Sequence, residues 1–376
     1  MTITGLYLPL ITPFDDAGAV ALGSLEALAH AALDAGAAGL VALGTTAEPS
    51  ALSVTEQRSV LHVVARVCRE RSAPLLVGAN TGEALRSLAD RPEVTAALTL
   101  VPPFVRPGER GVLAHFAHLA TVSPVPLVAY HIPYRTGQNL SADAVRRLAA
   151  IPGVVGVKHA VGGIDADTVA LLADLPPDFA VLGGDDLVFS PLLAFGAHGG
   201  ILASAHLATE GFVALIEAWR AGETVRARPL GHRLAAQSAA LFAEPNPTVV
   251  KAVLHARGQI PTPAVRLPLL PAGADSTATA LRQLAAVDDA LRASGPVPPE
   301  TADWTFVVDR GLPGVRVHPA AGPLHRGTGC APSCHDGGRL WPARTPPPGP
   351  RRPSGPPSST PATSATPAGS SVSAWS

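Results

Sequence analysis

Eight short apolar runs recur through residues 6–207, and most are followed by a segment whose apolar positions have helical spacing. The intervening segments, such as SLEALAHAALDAG and SADAVRRLAAIPG, mostly open with Ser, Thr or Asp, as helix N-termini do. Nearly continuous apolar strands that alternate with amphipathic helices are typical of a parallel sheet covered by helices. The runs are GLYLPLITPF, GLVALG, PLLVGA, AALTLVPPF, VPLVAYHIP, VVGVKHAVG, FAVLGGDD and GGILASAHL.

Eight strand–helix units within about 210 residues fit a closed (β/α)8 barrel better than an open doubly wound sheet. The first run is not followed by G-x-G-x-x-G, which argues against a dinucleotide-binding fold. After residue 208 the patterns are helical only. We therefore expect an α/β fold with a (β/α)8 TIM barrel over 1–208, and the last barrel helix and a small C-terminal helical appendage over 209–295.

The composition changes near residue 296. Residues 296–376 are rich in Pro, Ser and Gly and contain too few apolar side chains to offset the entropy of ordering, so we expect a disordered tail. Cys330, Cys334 and His335 lie in this tail without C-x-x-C-H spacing and without a second ligand pair. We therefore expect no metal site there.

Charge and hydropathy exclude several classes of protein. The net charge of −1 offers no field for nucleic acid or for an anionic membrane. The start of the chain lacks the basic and apolar regions of a signal peptide, and no apolar run approaches the ~18–20 residues of a membrane span. Three cysteines cannot form a disulfide framework in a chain of 376 residues. We expect a cytoplasmic protein that binds neither nucleic acid nor membrane.

A barrel fold directs attention to the residues at the carboxyl ends of its strands. Catalytic groups of such barrels lie there, because the loops that follow the strands build the site. Polar residues at these positions are therefore the candidates for a shared site. They are Thr45 and Thr46 after the second run, Tyr130 and Arg135 after the fifth, Lys158 in the sixth, and Asp185 and Asp186 after the seventh.

Lys158 lies in VVGVKHAV, where six apolar or glycine residues surround one lysine and one histidine. A lone lysine in such a run usually extends its stem to water. Barrel strands, however, point alternate side chains inward, and burial favours the neutral, nucleophilic form of an amine. Such an amine attacks a ketone, and the resulting imine lets the adjacent carbon lose a proton and add to an aldehyde as an enamine.

Longer motifs carry a family resemblance that runs in order from about residue 4 to 295. Together they resemble the dihydrodipicolinate synthase / N-acetylneuraminate lyase family, whose members are pyruvate-dependent class I aldolases. The motifs are GTTAEPSALSVTEQR (44–58), YHIPYRTG (130–137), VVGVKHAVG (154–162), LGGDD (182–186), LFAEPNPTVVKAVLHARG (241–258) and RLPLLP (266–271).

The resemblance implies a role for each matching residue. Lys158 matches the Schiff-base lysine, Tyr130 the tyrosine that shuttles protons and orients the imine, and Thr45 the hydroxyl that links this tyrosine to a proton relay. The remaining three are substrate-binding candidates. Thr46 and nearby backbone amides match the site for the keto-acid carboxylate, Arg135 the residue that meets a carboxylate of the second substrate, and Ile201 a residue that lines the pyruvate pocket.

Structural interpretations remain open for several of these residues. Thr45 and Thr46 could form only a turn and a helix cap, Tyr130 could be a core aromatic, and Arg135 a surface residue. Acids at a strand end commonly cap the next helix, so Asp185, Asp186 and Glu48 are not assigned to catalysis.

Three departures from the family pattern limit what can be said of the substrate. His131 replaces the usual asparagine after the tyrosine, and His159 replaces the usual glutamate after the lysine. By strand alternation His159 points away from Lys158, toward the helices. Phe104 occupies the position of a relay tyrosine that is normally contributed across a subunit interface, and phenylalanine has no hydroxyl.

We therefore expect a lyase or synthase of the class I aldolase type that condenses or cleaves pyruvate, or a related 2-oxo acid, with an aldehyde. No cofactor is expected beyond the covalent imine on Lys158, and a homo-oligomer, either a dimer or a tetramer, is expected. A sugar-acid aldolase or dehydratase of the same family is one alternative. A catalytically silent barrel that binds a 2-oxo acid as a sensor or scaffold is another.

Overall fold

The computed structural model describes residues 3–293. The tail expected over 296–376, with Cys330, Cys334 and His335, lies outside the described residues. Eight parallel strands form a closed barrel in which each strand pairs with its sequence neighbours and β1 pairs with β8. The (β/α)8 barrel predicted from the sequence is thereby confirmed. The strands are β1 (Gly5–Pro9), β2 (Gly39–Ala42), β3 (Leu75–Gly78), β4 (Val94–Leu100), β5 (Leu127–His131), β6 (Val154–His159), β7 (Ala180–Gly183) and β8 (Gly199–Ile201).

Helices surround the barrel and continue beyond its last strand. Most of the longer ones fall on the segments with helical spacing, whereas the connection from β3 to β4 holds only a five-residue helix. The helices are α1 (Leu22–Asp34), α2 (Val54–Glu70), α3 (Gly82–Arg86), α4 (Gly108–Val122), α5 (Pro133–Thr136), α6 (Ala142–Ala149), α7 (Ala166–Ala173), α8 (Phe189–Ala194), α9 (Ala205–Arg220), α10 (Thr224–Leu241), α11 (Thr248–Ala256) and α12 (Ala274–Ala293).

Several helices begin at the side-chain caps that the sequence predicts. Ser53 accepts a hydrogen bond from the backbone N–H of Glu56, and the Glu56 carboxylate accepts one from the backbone N–H of Ser53. This capping box satisfies two N–H groups that a helix start leaves without partners. Ser141 and Asp165 cap α6 and α7 without the reciprocal bond, each accepting from the backbone N–H three residues ahead.

The alternation of side chains along the strands divides the core into two layers. Side chains that point inward, such as Val128 and Leu182, fill the barrel, and those that point outward, such as Ala129 and Val157, pack against the helices. Because successive residues of a strand face opposite sides, both faces must be apolar, which explains the nearly continuous apolar runs in the sequence.

The last helices pack on one side of the barrel. Helix α9 is kinked at Ala208, whose backbone angles are not helical, and α10 packs against α9, α12 and the turn Asp186–Val188 that follows β7. The boundary expected between 208 and 209 thus falls within α9. Among the helices of residues 3–293, none combines the length and the apolar character that a bilayer crossing requires.

Candidate active site

A cavity of about 430 Å³ lies where the carboxyl ends of the barrel strands meet their loops. Loops after β2, β5 and β7 contribute to its wall, together with the end of β8 and residues of α10. The six residues that the sequence assigns to catalysis and substrate binding all line this cavity, which is the placement expected for a barrel site. They are Thr45, Thr46, Tyr130, Arg135, Lys158 and Ile201.

Lys158 points into the barrel. On β6 it pairs in register with Tyr130 of β5 and Leu182 of β7, and its residue is only 5% exposed. Its Nζ lies 4.3 Å from the centroid of the Tyr130 ring, over the ring face. The stem does not extend the amine to bulk water, so the alternative of a lysine at the surface is wrong.

The glycine after β7 leaves room for this lysine. A Cβ placed on Gly184 would lie 2.8 Å from Lys158 Cε and 2.9 Å from both Lys158 Cγ and the Cβ of Ala160. Such distances are shorter than van der Waals contact, so a side chain at this position would displace Lys158. The glycine of the LGGDD motif therefore has a steric role beside the amine.

The two threonines lie in a short 3-10 turn, Thr45–Ala47, at the end of β2. The Thr12 hydroxyl donates to the carbonyl of Ala47 at 2.8 Å, and Asn246 Nδ2 donates to Thr46 Oγ1 at 3.0 Å. Among the described residues, the hydroxyls of Thr45 and Tyr130 make no hydrogen bond with each other. Both line the cavity, so a substrate atom or a water molecule can join them.

Glu48 follows this turn and forms a buried ion pair. Its Oε1 accepts a hydrogen bond from Lys251 Nζ at 2.7 Å, and its Oε2 accepts one from the backbone N–H of Arg266 at 2.8 Å. The Lys251 side chain is 0% exposed and that of Glu48 is 3% exposed. Helix α2 is capped by Ser53 instead, so the suggestion that Glu48 serves as a cap is wrong.

Arg135 lies at the mouth of the cavity and is exposed. Its Nε donates to the hydroxyl of Tyr134 at 2.7 Å, and its guanidinium carbon lies 5.4 Å from the centroid of the Tyr134 ring. No hydrogen bond of the two terminal nitrogens is found among residues 3–293, so they are available to a ligand. A planar guanidinium in this position can bind a carboxylate of an incoming molecule.

The two acids after β7 have different surroundings. Asp186 is buried and accepts a hydrogen bond from the backbone N–H of Ser204 at 2.6 Å, and burial raises its pKa to about 6. Asp185 accepts from the backbone N–H of Gly162 at 2.5 Å, and burial raises its pKa as well. Neither carboxylate caps the turn that begins at Asp186, so the capping interpretation is wrong for both.

The two histidines that depart from the family pattern face each other behind the site. His131 and His159 pair in register, point to the helix side, and have ring centroids 5.6 Å apart. His131 Nε2 lies 3.0 Å from Asn139 Oδ1 and 3.1 Å from the backbone N of Leu140. Because the Thr168 hydroxyl donates to Asp165, His159 Nε2 donates to Thr168 and carries the proton of that ring.

Both Nδ1 atoms are buried and have no hydrogen-bond partner among residues 3–293. The Nδ1 of His159 is an acceptor, because the ring carries its proton on Nε2. Burial is the main cause that lowers the pKa of each histidine, that of His131 to about 4, and His159 also lowers the pKa of His131. The pair is therefore neutral at pH 7.

Phe104 does not enter the cavity of its own chain. Its φ is +68°, the side chain is 89% exposed, and its backbone N–H donates to the carbonyl of Thr136 in the loop after β5. The neighbouring Val105 is 72% exposed. The loop after β4 thus presents two large apolar side chains to its surroundings.

The sequence analysis gave no role to the residues that α10 and the segment after it contribute to the cavity. Ser238, Phe242 and Asn246 line it, together with Leu187 and Val188 after β7. Asn246 lies in the LFAEPNP motif, but the motif carries no sign that its amide contacts Thr46. The contact joins residues 200 positions apart, so no local pattern could reveal it.

Comparison with known proteins finds a family match and named relatives. Residues 2–287 match the model of the dihydrodipicolinate synthetase family. The chain is 37% identical over 276 residues to 4-hydroxy-tetrahydrodipicolinate synthase 2 of Clostridium acetobutylicum, an alignment that covers 72% of this chain and 96% of the relative.

Solved structures agree with the sequence comparison. The 4-hydroxy-tetrahydrodipicolinate synthase of Methylacidiphilum fumariolicum SolV superposes with a TM-score of 0.72 at 28% identity, covering 78% of this chain and 98% of the other. The chloride-inhibited dihydrodipicolinate synthase of Acinetobacter baumannii in complex with pyruvate superposes with a TM-score of 0.72 at 32% identity, covering 76% and 99%. This chain belongs to the dihydrodipicolinate synthetase family.

Proposed function

We propose that this protein condenses pyruvate, or a closely related 2-oxo acid, with an aldehyde through an imine on Lys158. The family makes it a lyase of the class I aldolase type. The observation that carries the proposal is the buried amine of Lys158 on the face of Tyr130, in a cavity that also holds Thr45 and Thr46. The chemistry requires no external cofactor, because the lysine itself supplies the electron sink.

The first half of the reaction captures the 2-oxo acid. Its carboxylate binds at the turn Thr45–Ala47, where a hydroxyl and backbone N–H groups favour an anion. The amine of Lys158 attacks the ketone carbon to form a carbinolamine, which loses water to give the imine. The Tyr130 hydroxyl moves protons to and from the oxygen that leaves as water, and Ile201 limits the space beside the methyl group.

The second half forms the carbon–carbon bond. Loss of a proton from the methyl carbon gives an enamine, whose carbon attacks the aldehyde carbon while the aldehyde oxygen takes up a proton. Arg135 at the mouth binds a carboxylate of the aldehyde. Hydrolysis of the imine then releases the product and regenerates Lys158.

Trapping with borohydride tests the first half directly. Incubation with pyruvate and sodium borohydride should add one reduced pyruvyl group, and peptide mapping should place it on Lys158. Labelling should be absent without pyruvate and in Lys158→Ala. Labelling that persists in Lys158→Ala would refute the assignment, and absence of labelling in the wild type would favour a catalytically silent barrel.

A set of aldehydes offered with pyruvate identifies the acceptor. Aspartate semialdehyde tests synthase activity, and hydroxylated sugar aldehydes test the sugar-acid aldolase alternative. The exposed guanidinium of Arg135 favours an acceptor with a carboxylate, so turnover with aspartate semialdehyde should fall more in Arg135→Gln than turnover with an uncharged aldehyde. Equal losses for both aldehydes would contradict this role of Arg135.

The oligomeric state and the location of the protein belong to the same proposal. The exposed Phe104 and Val105 and the 69% exposed Tyr134 favour a homo-oligomer in which a second copy covers the loop after β4. Light scattering after size-exclusion chromatography measures the mass, and a monomer at micromolar concentration would contradict this part. The division at 208 and 295 and the cytoplasmic location remain predictions from the sequence.

A further inference from the structure

The turn that holds Thr45 and Thr46 depends on residues outside the cavity. Glu48, immediately after the turn, has φ of +54° and ψ of +42°. Residues other than glycine rarely adopt this left-handed backbone conformation. Within the turn, the hydrogen bond from the Glu48 N–H to the Thr45 carbonyl is long, at 3.4 Å. A backbone of this kind persists only where its surroundings hold it.

The support comes from the Glu48 carboxylate. One oxygen binds Lys251 of α11, and the other binds the backbone N–H of Arg266 in the segment after α11. Both charged side chains are enclosed by the fold, with Lys251 Nζ 4.1 Å from the centroid of the Phe14 ring. Asn246, just before α11, donates to Thr46 and adds a further contact from this part of the chain.

Neither Glu48 nor Lys251 lines the cavity, so the pair does not touch the substrate and can act on it only through the turn. We propose that the buried Glu48–Lys251 pair is a positioning device that fixes the turn Thr45–Ala47 in the conformation that binds the carboxylate of the 2-oxo acid. The C-terminal helices thus take part in binding through this contact. This inference rests on the proposed imine chemistry of Lys158, and it adds Glu48 and Lys251 as positioning residues.

A purely structural pair would behave differently. Replacement of both partners of a buried ion pair with apolar residues of similar size often leaves stability unchanged or higher. Loss of one partner alone destabilises the fold, because it leaves a buried charge without a counter-charge. The double variant Glu48→Leu/Lys251→Met is therefore expected to keep the fold while it removes the polar contacts that orient the turn. Glu48→Gln is a milder change that keeps an acceptor for the Arg266 N–H.

The readout is the pyruvate concentration that gives half-maximal borohydride labelling of Lys158, measured on the full chain beside the melting temperature. We expect the double variant to raise this concentration by about tenfold or more, the size of effect that accompanies a lost charge-assisted contact. Labelling at saturating pyruvate should stay near the wild-type extent, and KM for pyruvate should rise more than kcat falls. Glu48→Gln should show a smaller rise of the same kind.

Phe116→Leu in α4 is the control for general destabilisation, because this buried ring lies on a helix that packs against α3 and α6. It should lower the melting temperature without changing half-maximal labelling. An unchanged half-maximal concentration in both Glu48→Gln and the double variant would overturn the inference. If the double variant does not fold, Glu48→Gln decides the question alone, and a wild type without labelling would instead refute the proposed function.

Discussion

The buried histidine pair makes acid stability a sensitive test of the structure. His131 is 1% exposed, and its pKa is lowered from 6.5 to about 4, first by burial and then by the neighbouring His159. Asn139, Asp165 and Asp167 act in the opposite direction and do not overcome burial. In the unfolded chain the imidazole is free to take up a proton near its ordinary pKa.

The sign of the effect follows from proton counting. Above pH 6.5 the ring is neutral in both states, and this histidine adds no pH dependence to the free energy of unfolding. Between pH 6.5 and pH 4 the unfolded state binds more protons than the folded state, so stability falls as pH falls. At about 1.4 kcal/mol per pKa unit, the full loss for His131 is about 3 kcal/mol, and about 2 kcal/mol of it has occurred at pH 5.

His131→Asn removes this linkage, because asparagine does not titrate. The variant can be less stable than the wild type at pH 7, where it loses ring packing and the acceptor for the Leu140 N–H. Between pH 7 and pH 5, however, the difference in unfolding free energy should move by about 2 kcal/mol in favour of the variant. Urea unfolding monitored by circular dichroism at pH 7, 6 and 5 measures this difference.

The matched control is His62→Asn, which makes the same substitution at an exposed histidine on α2 and leaves the buried pair intact. Its difference from the wild type should change less between pH 7 and pH 5 than that of His131→Asn. A difference between wild type and His131→Asn that stays constant from pH 7 to pH 5 would refute the buried neutral pair. It would mean that the ring of His131 reaches water or a negative partner.

Three further predictions concern the reaction. Tyr130→Phe keeps the ring beside the Lys158 amine but removes the hydroxyl. We expect kcat to fall by about 10²–10⁴-fold, the usual contribution of general acid–base catalysis, while the melting temperature stays near that of the wild type. A fall in kcat of less than about fivefold would contradict the role of the Tyr130 hydroxyl in proton transfer. Gly184→Ala should slow borohydride labelling of Lys158 strongly, since its Cβ would lie 2.8 Å from Lys158 Cε, and normal labelling would show that Lys158 has another position. Phe104→Tyr should raise turnover of aspartate semialdehyde with pyruvate by supplying a hydroxyl, across the proposed subunit interface, to the relay of the neighbouring copy. Rapid wild-type turnover that the tyrosine does not improve would show that Phe104 is no handicap.

The features that the sequence predicts well are those that repeat locally. A strand of the barrel needs apolar side chains on both faces, so each one leaves a visible run, and its carboxyl end locates the site without knowledge of any partner. Lys158 and Tyr130 were predicted on this basis together with the family motifs. That β5 and β6 are neighbours follows from the order of strands in the barrel, whereas the register that pairs Tyr130 with Lys158 is seen only in the structure.

The contacts that the sequence could not predict join distant segments. Glu48 and Lys251 are 203 positions apart, and each looks like an ordinary surface charge in its own motif. Arg266 similarly binds Glu56 across 210 positions, at 2.6 Å between Nη2 and Oε1. Burial of such charges depends on how the C-terminal helices pack on the barrel, and a periodic pattern in one segment carries no information about that.

The alternation along β5 and β6 puts the residues that match the family motifs on one face of the strands and those that depart from them on the other. Tyr130 and Lys158 face the cavity, while the next residues, His131 and His159, face the helices from the same two strands. A substitution on the outer face alters packing and proton binding between the strands and the helices. It leaves the backbone that carries Tyr130 and Lys158 in place. The outer face can therefore hold two neutral histidines in place of an amide and an acid without moving the amine from the Tyr130 ring. It follows that acid sensitivity of the fold and imine formation should respond to different residues, even though these residues are adjacent in the chain.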